Sequence, residues 1–358
     1  MSDNEAPGRP PVSPRRVRAG LIAVVGIGAT AGLIIALVAG GRDMLAGLAR
    51  LPLGTVAAAL GLNVASWFGE AVVFRSLVPP AKKRGDGRAW RRSRGVLRMI
   101  PVYVGGAFPG LVTPFGSGAI PGWVYALTGE GLSAGEAAAV VGARAMLTSA
   151  FFVSAGAVAL AVVPVRASGA PGAAAAGLGA LFIVLAAAAW TMARPLAVAR
   201  LLERLLLSRP VVRLLGEQRA TRLASSSSRE AGLFSHEVRS LARERPGALA
   251  LAVAGLAFSR ACLLAILPVI VAGLGWRGDW AIVVGIVLAV QALSSASPTP
   301  GGSGTTEAAL TAALARVAPA AAAGTAALLW RGITFYLGLV VGWAFFTRRL
   351  ARGRTHAV

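Results

Sequence analysis

Five ionisable side chains lie inside apolar sequence: Glu70, Arg144, Arg260, Glu307 and Arg331. A charge within hydrocarbon is costly, so it is retained where it pairs with another, faces a wet cavity or handles a charged cargo. Two uses are open to these residues. In the first, Arg260 and Arg331, joined by Arg144, hold a lipid phosphate through bidentate hydrogen bonds. In the second, each arginine pairs with Glu70 or Glu307, or with carbonyls freed at helix breaks, and fixes the fold. Glu307 has a further use. It directly follows a helix-breaking stretch, so its carboxylate can cap the helix that restarts there.

That stretch is Ser297-Pro298-Thr299-Pro300-Gly301-Gly302-Ser303-Gly304. Its two prolines and three glycines cannot continue a helix. Apolar sequence flanks it on both sides, and unpaired backbone in hydrocarbon survives only where protein buries it or it lines a polar cavity. The break occurs twice. In the first half of the chain, Thr113-Pro114-Phe115-Gly116-Ser117-Gly118 matches Thr299–Gly304 at five of six positions. Arg144 follows the first copy, and Arg331 the second, at nearly equal distance. This is the pattern of an internal repeat. Backbone N–H groups at Gly116–Gly118 and Gly302–Thr305 then become candidate anion donors at helix starts. The candidate substrate-binding set is therefore Arg331, Arg260, Glu307, Arg144 and Glu70 with the turn residues Gly116, Ser117, Gly118, Pro300, Gly302, Ser303 and Gly304.

The elements that position these residues are predicted to be membrane helices. Hydrophobic residues make up 56% of the 358, mean hydropathy is +0.70, and several apolar runs are long enough to span a bilayer. The formal charge of +22 does not mark a nucleic-acid-binding protein. Of the 36 Lys and Arg, 27 sit in four places beside apolar segments: Arg9–Arg18, Lys82–Arg98, Arg194–Arg245 and Arg348–Arg354. That distribution marks a cytoplasmic membrane face.

Crossing parity then constrains the topology. Three apolar segments, Met99–Thr128, Ala137–Val163 and Ala173–Ala193, separate two inside loops, so one of them does not cross. The broken one is the candidate, because Met99–Val112 reaches only about 21 Å as helix against a hydrocarbon core of about 30 Å. The same count applies to Ala248–Leu274, Trp280–Arg316 and Pro319–Phe346. The expected fold is an all-α polytopic membrane protein of about eight hydrophobic segments. Six are full crossings and two are re-entrant broken helices, in an inverted 4+4 repeat. Its parts are a disordered cytoplasmic N-terminus (1–18), a first repeat (19–193), a basic amphipathic linker (194–246), a second repeat (247–346, opening with the helix 173–193) and a basic cytoplasmic tail (347–358).

Catalysis is not expected. His236 and His356 both lie outside the apolar segments, and Cys262 is the single cysteine, so neither a buried histidine base nor a metal site is predicted. Gly301-Gly302-Ser303-Gly304 lacks the lysine of a phosphate-binding loop. No cofactor is expected. Gln291 is expected to line a cavity or to bond a neighbouring helix, and Arg75 and Arg316 to reach for the interface.

Pro298–Glu307, followed by Leu329-Trp330-Arg331-Gly332-Ile333-Thr334-Phe335-Tyr336, resembles the lysylphosphatidylglycerol synthetase transmembrane-region family. That family includes the flippase-like domain of the multiple peptide resistance factor. Pro114–Gly118 with Arg144 is similar to the family's first, weaker signature, and the resemblance spans roughly Ala19–Phe346. It implies movement of a phospholipid, or of another polar-headgroup lipid, between leaflets of a bacterial cytoplasmic membrane. The implied partner is an anionic or aminoacyl phospholipid or a polyprenyl-phosphate lipid, with a non-transporting scaffold as the rival role. Two-domain members carry a C-terminal synthetase. This chain stops shortly after Phe346, so it is expected to work without one.

Overall fold

The computed structural model describes residues 51–79, 95–162, 243–295 and 297–354, with isolated positions between 204 and 225. The expected helices over 19–41 and 173–193, the terminal segment 1–18 and most of the linker 194–246 lie outside the described residues. Among the described residues, every regular element is helical: α1 (Leu53–Leu77), α2 (Met99–Leu111), α3 (Ala119–Thr128), α4 (Ala134–Val162), α5 (Pro246–Gly273), α6 (Trp280–Ser295), α7 (Thr305–Leu314), α8 (Ala320–Arg331) and α9 (Leu337–Arg354). A π-turn, Gly332–Tyr336, joins α8 to α9.

Four stretches are long and apolar enough to cross a membrane: Leu53–Leu77, Ala134–Ala155, Pro246–Gly273 and Ala322–Ala351. The apolar arms Val96–Leu111 and Trp280–Gln291 are shorter. Both short arms lead into the Pro/Gly breaks. The protein is a polytopic membrane protein, all-helical over the described residues.

α1 and α5 form the central pair and run antiparallel. Small residues let them touch: a Cβ built on Gly69 would lie 2.7 Å from the Gly255 carbonyl oxygen and 2.9 Å from Ser259 Cβ. Close backbone approach through glycine and serine is how helices associate when hydrocarbon offers no hydrophobic drive. The same logic builds α2 and α3 into a hairpin. Gly106 faces Trp123, Gly110 faces Ala119, and the Trp123 indole N–H donates to the Tyr103 carbonyl at 2.9 Å. α6 and α7 form a second hairpin, with Val283, Val287 and Val290 against Leu310 and Leu314.

The core divides in two. One cluster gathers the C-terminal end of α1 (Ala71–Val78), the start of α5 (Ala252, Leu256) and the first hairpin (Met99, Val102, Ala126, Leu127). The other gathers Ala59 of α1, Ile266–Val271 of α5 and the second hairpin. Each hairpin therefore packs against a different end of the α1/α5 pair. One end is also tied by polar contacts. Arg245 donates to the carbonyls of Ser76 (2.9 Å) and Val78 (3.2 Å), and Arg349 of α9 pairs with Glu130 and the Ala126 carbonyl. α9 runs on to Arg354, so Arg348, Arg349, Arg352 and Arg354 are helical.

Candidate functional site

The two sequence breaks fold into the same backbone turn. Pro114–Gly116 and Pro300–Gly302 are each one turn of 3-10 helix. Their middle residues match closely: Phe115 has φ 55 and ψ 16, Gly301 φ 57 and ψ 17. Gly116 and Gly302 follow with φ of 64 and 69. Left-handed backbone is routine for glycine and uncommon for a bulky residue.

The one position at which the motifs differ has a steric cause. A Cβ at Gly301 would strike the Phe335 ring and lie 3.1 Å from the Leu111 carbonyl oxygen, whereas Phe115 is 61% exposed. Beyond the serine the turns diverge. Thr113 Oγ1 closes the first, donating to the Pro109 carbonyl and accepting from the Gly118 N–H, each at 2.8 Å. In the second, the Gly304 N–H donates at 2.8 Å to Glu307 Oε2, which caps α7 as its position after the break suggests.

The turns touch tip to tip. The Phe115 N–H donates to the Ser297 carbonyl at 3.2 Å, joining the two halves of the chain. Around this contact lies a cavity of about 410 Å³. Aromatic rings dominate its wall, among them Tyr103, Phe115, Trp123, Phe152 and Phe335, with Gly116, Gly302, Gln291, Thr334 and Arg331 supplying polar surface.

Arg331 is 4% exposed and held on three sides. Its Nε donates to Glu307 Oε1 at 2.8 Å, its Nη2 donates to the Gly301 carbonyl at 3.0 Å, and its guanidinium lies 4.1 Å from the Phe335 ring centroid. Tyr336 hydroxyl reaches the same Oε1 at 3.5 Å. The π-turn immediately after Arg331 sets Phe335 and Tyr336 around it. Its loosened backbone is satisfied from outside, because Asn63 of α1 donates to the Ile333 carbonyl at 2.9 Å. The second break, the arginine and the π-turn thus form one unit.

Glu70, Arg144 and Arg260 form a separate buried cluster. Arg144 grips Glu70 with two hydrogen bonds, Nε to Oε2 at 2.7 Å and Nη2 to Oε1 at 2.9 Å, while Arg260 Nη2 donates to the same Oε1. The Arg144 guanidinium lies 4.2 Å from the Trp123 ring centroid and 5.5 Å from that of Tyr103. Phe152 lies 5.9 Å from Arg260. The rings that line the cavity therefore screen this cluster from it.

Of the sequence-derived candidates, Arg331, Gly116 and Gly302 line the cavity, whereas Arg144, Arg260 and Glu70 stand behind its wall. The cavity wall is aromatic, with Arg331 as the one of the three candidate arginines at its surface. The turn residues Ser117, Gly118, Pro300, Ser303 and Gly304 shape the break without lining the cavity. Nor are six of the seven expected anion donors free. The N–H groups of Gly116, Ser117, Gly302 and Ser303 donate to carbonyls of their own turns, and those of Gly118 and Gly304 donate to Thr113 and Glu307. A turn this tight uses its own donors to close itself. The sequence reading also missed Tyr103, Trp123, Phe152 and Phe335. Aromatic residues scattered through apolar sequence look the same whether they face lipid or a cavity.

The model of the lysylphosphatidylglycerol synthase transmembrane region matches residues 20–342. The chain belongs to this family. The match takes in both breaks, the π-turn and all five buried charges. No curated protein and no solved structure matches the chain. For this member of the lysylphosphatidylglycerol synthase transmembrane family, the site offers binding and orientation through one lining guanidinium, a few neutral polar side chains and aromatic faces. Among the described residues no cluster of His, Cys, Asp or Glu could hold a metal ion.

Proposed function

We propose that this protein is a lipid translocase. A polar headgroup occupies the cavity between the two broken elements while its acyl chains stay in the bilayer. The observation that carries this reading is the tip-to-tip contact of Phe115 with Ser297 beside a cavity of about 410 Å³. Broken helices that meet from opposite sides are how membrane transporters build a central site. Family membership adds the lipid connection. The finer architecture belongs to the same proposal: six crossings and two re-entrant hairpins in an inverted 4+4 repeat, both termini facing the cytoplasm, and residence in a bacterial cytoplasmic membrane. Antiparallel α1 and α5, each with one hairpin at its own end, support the inversion. The protein acts by binding and moving lipid, without covalent chemistry.

The test is reconstitution of the full chain in liposomes holding a headgroup-labelled phospholipid, with leaflet exchange followed by chemical quenching of the outer label. Arg331→Lys keeps the charge but loses the planar fork. It should slow exchange about tenfold, equivalent to about 1.4 kcal/mol in the barrier, in a protein that still melts cooperatively. No exchange by the wild type would sink the translocase reading. Unchanged exchange by folded Arg331→Lys would remove Arg331 from it. Normal envelope function of an exchange-dead variant would favour the scaffold.

A further inference from the structure

The buried charges do not balance. Among the described residues, the ionised side chains in the core are Arg144, Arg260 and Arg331 against Glu70 and Glu307, leaving one positive charge in excess. Both carboxylates are committed. Glu70 accepts from two guanidiniums, and Glu307 from Arg331 and the Gly304 N–H. Neither lines the cavity, and among the described residues no other carboxylate does.

Donors, by contrast, are left over. The indole Nε1 of Trp330, a residue of the cavity wall, is buried with no partner among the described residues; Arg260 Nε, behind that wall, is unpartnered as well. The surplus charge stands behind the Trp123 and Phe152 rings, and its field reaches the cavity through that low-dielectric layer, while the Trp330 N–H lacks an acceptor. A cationic headgroup is disfavoured there: among the described residues it meets a surplus of its own sign and no carboxylate on the cavity wall. Two of the aromatic faces, those of Trp123 and Phe335, already carry the guanidiniums of Arg144 and Arg331.

Resting on the translocase reading, we infer that the cavity selects a lipid whose headgroup is an anionic phosphate without an ammonium group, and discriminates against aminoacylated headgroups. Phosphatidylglycerol-type phosphodiesters and polyprenyl phosphates share that chemistry.

The full chain is purified and exposed to an equimolar mixture of phosphatidylglycerol, a polyprenyl phosphate, lysyl-phosphatidylglycerol and phosphatidylcholine, and retained lipid is read by native mass spectrometry. One or both of the first two should be retained about tenfold over the others, and whichever dominates names the source. Equal or greater retention of the lysyl ester overturns the inference while leaving the lipid reading standing. Retention of none of the four overturns both. Gln291→Glu adds a carboxylate to the cavity wall without changing side-chain size, and should bring anionic and lysyl lipids to about equal retention. Arg260→Gln removes the surplus charge and should shift the ratio the same way. An unchanged ratio in Gln291→Glu at wild-type melting temperature also overturns the inference.

Discussion

The residue that separates the two copies of the break is also the one whose backbone is most constrained. Phe115 and Gly301 share one left-handed conformation, but only position 115 has room for a side chain. Gly301→Ala should therefore cost about 1–3 kcal/mol, from positive φ and from collision with Phe335, seen as a lower melting temperature in detergent. Phe115→Gly should leave stability within about 1 kcal/mol, because relief of strain is offset by a floppier unfolded chain. Glu70 carries a different constraint, since two guanidiniums converge on it. Glu70→Gln leaves that buried pair of like charges facing each other and should destabilise by about 3–5 kcal/mol. A Glu70/Arg144 double-mutant cycle would measure the coupling, and additivity would show the pair to be idle.

At the scale of elements, the hairpins depend on glycine faces. Gly122 sits against the Gly106 carbonyl and the Pro109 ring, leaving no space for a larger side chain. Gly122→Val should wedge α2 from α3 and lower stability by about 1–3 kcal/mol, whereas Gly61→Ala, with nothing within 4 Å, should change it little. Equal melting temperatures for the two variants would contradict the packing. Much of this level was legible in advance. The break positions, the shortness of Met99–Val112 and the capping role of Glu307 follow from proline, glycine and helix-end chemistry. The π-turn was not legible, because Gly332–Tyr336 differs from ordinary helix in its wider backbone hydrogen bonding, which the residue types do not announce. Nor was the committed state of the turn N–H groups, which depends on backbone angles that composition does not specify.

For the whole molecule, the question is which face each end occupies. Arg245 binds the end of α1, and Arg349 binds the end of the first hairpin, so these basic ends share one side. Single cysteines at Ser208 or Ser225, in a chain whose native Cys262 is buried, should react with impermeant maleimide only from the cytoplasm. One at Arg277 should react only from outside. Reversal at either site would undo the proposed topology.

Hydropathy, charge placement and the duplicated Thr-Pro-x-Gly-Ser-Gly motif determined by themselves that this is a helical membrane protein with two interrupted elements, because hydrocarbon penalises unpaired backbone and charge wherever they occur along a chain. Only the tertiary structure decided which charges meet: Arg144 and Arg260 share Glu70 behind an aromatic wall, and Arg331 alone of the three faces the cavity. The physical reason is that partners far apart in sequence are chosen by packing, and equal arginines in equal apolar surroundings look alike until neighbouring helices have taken their places.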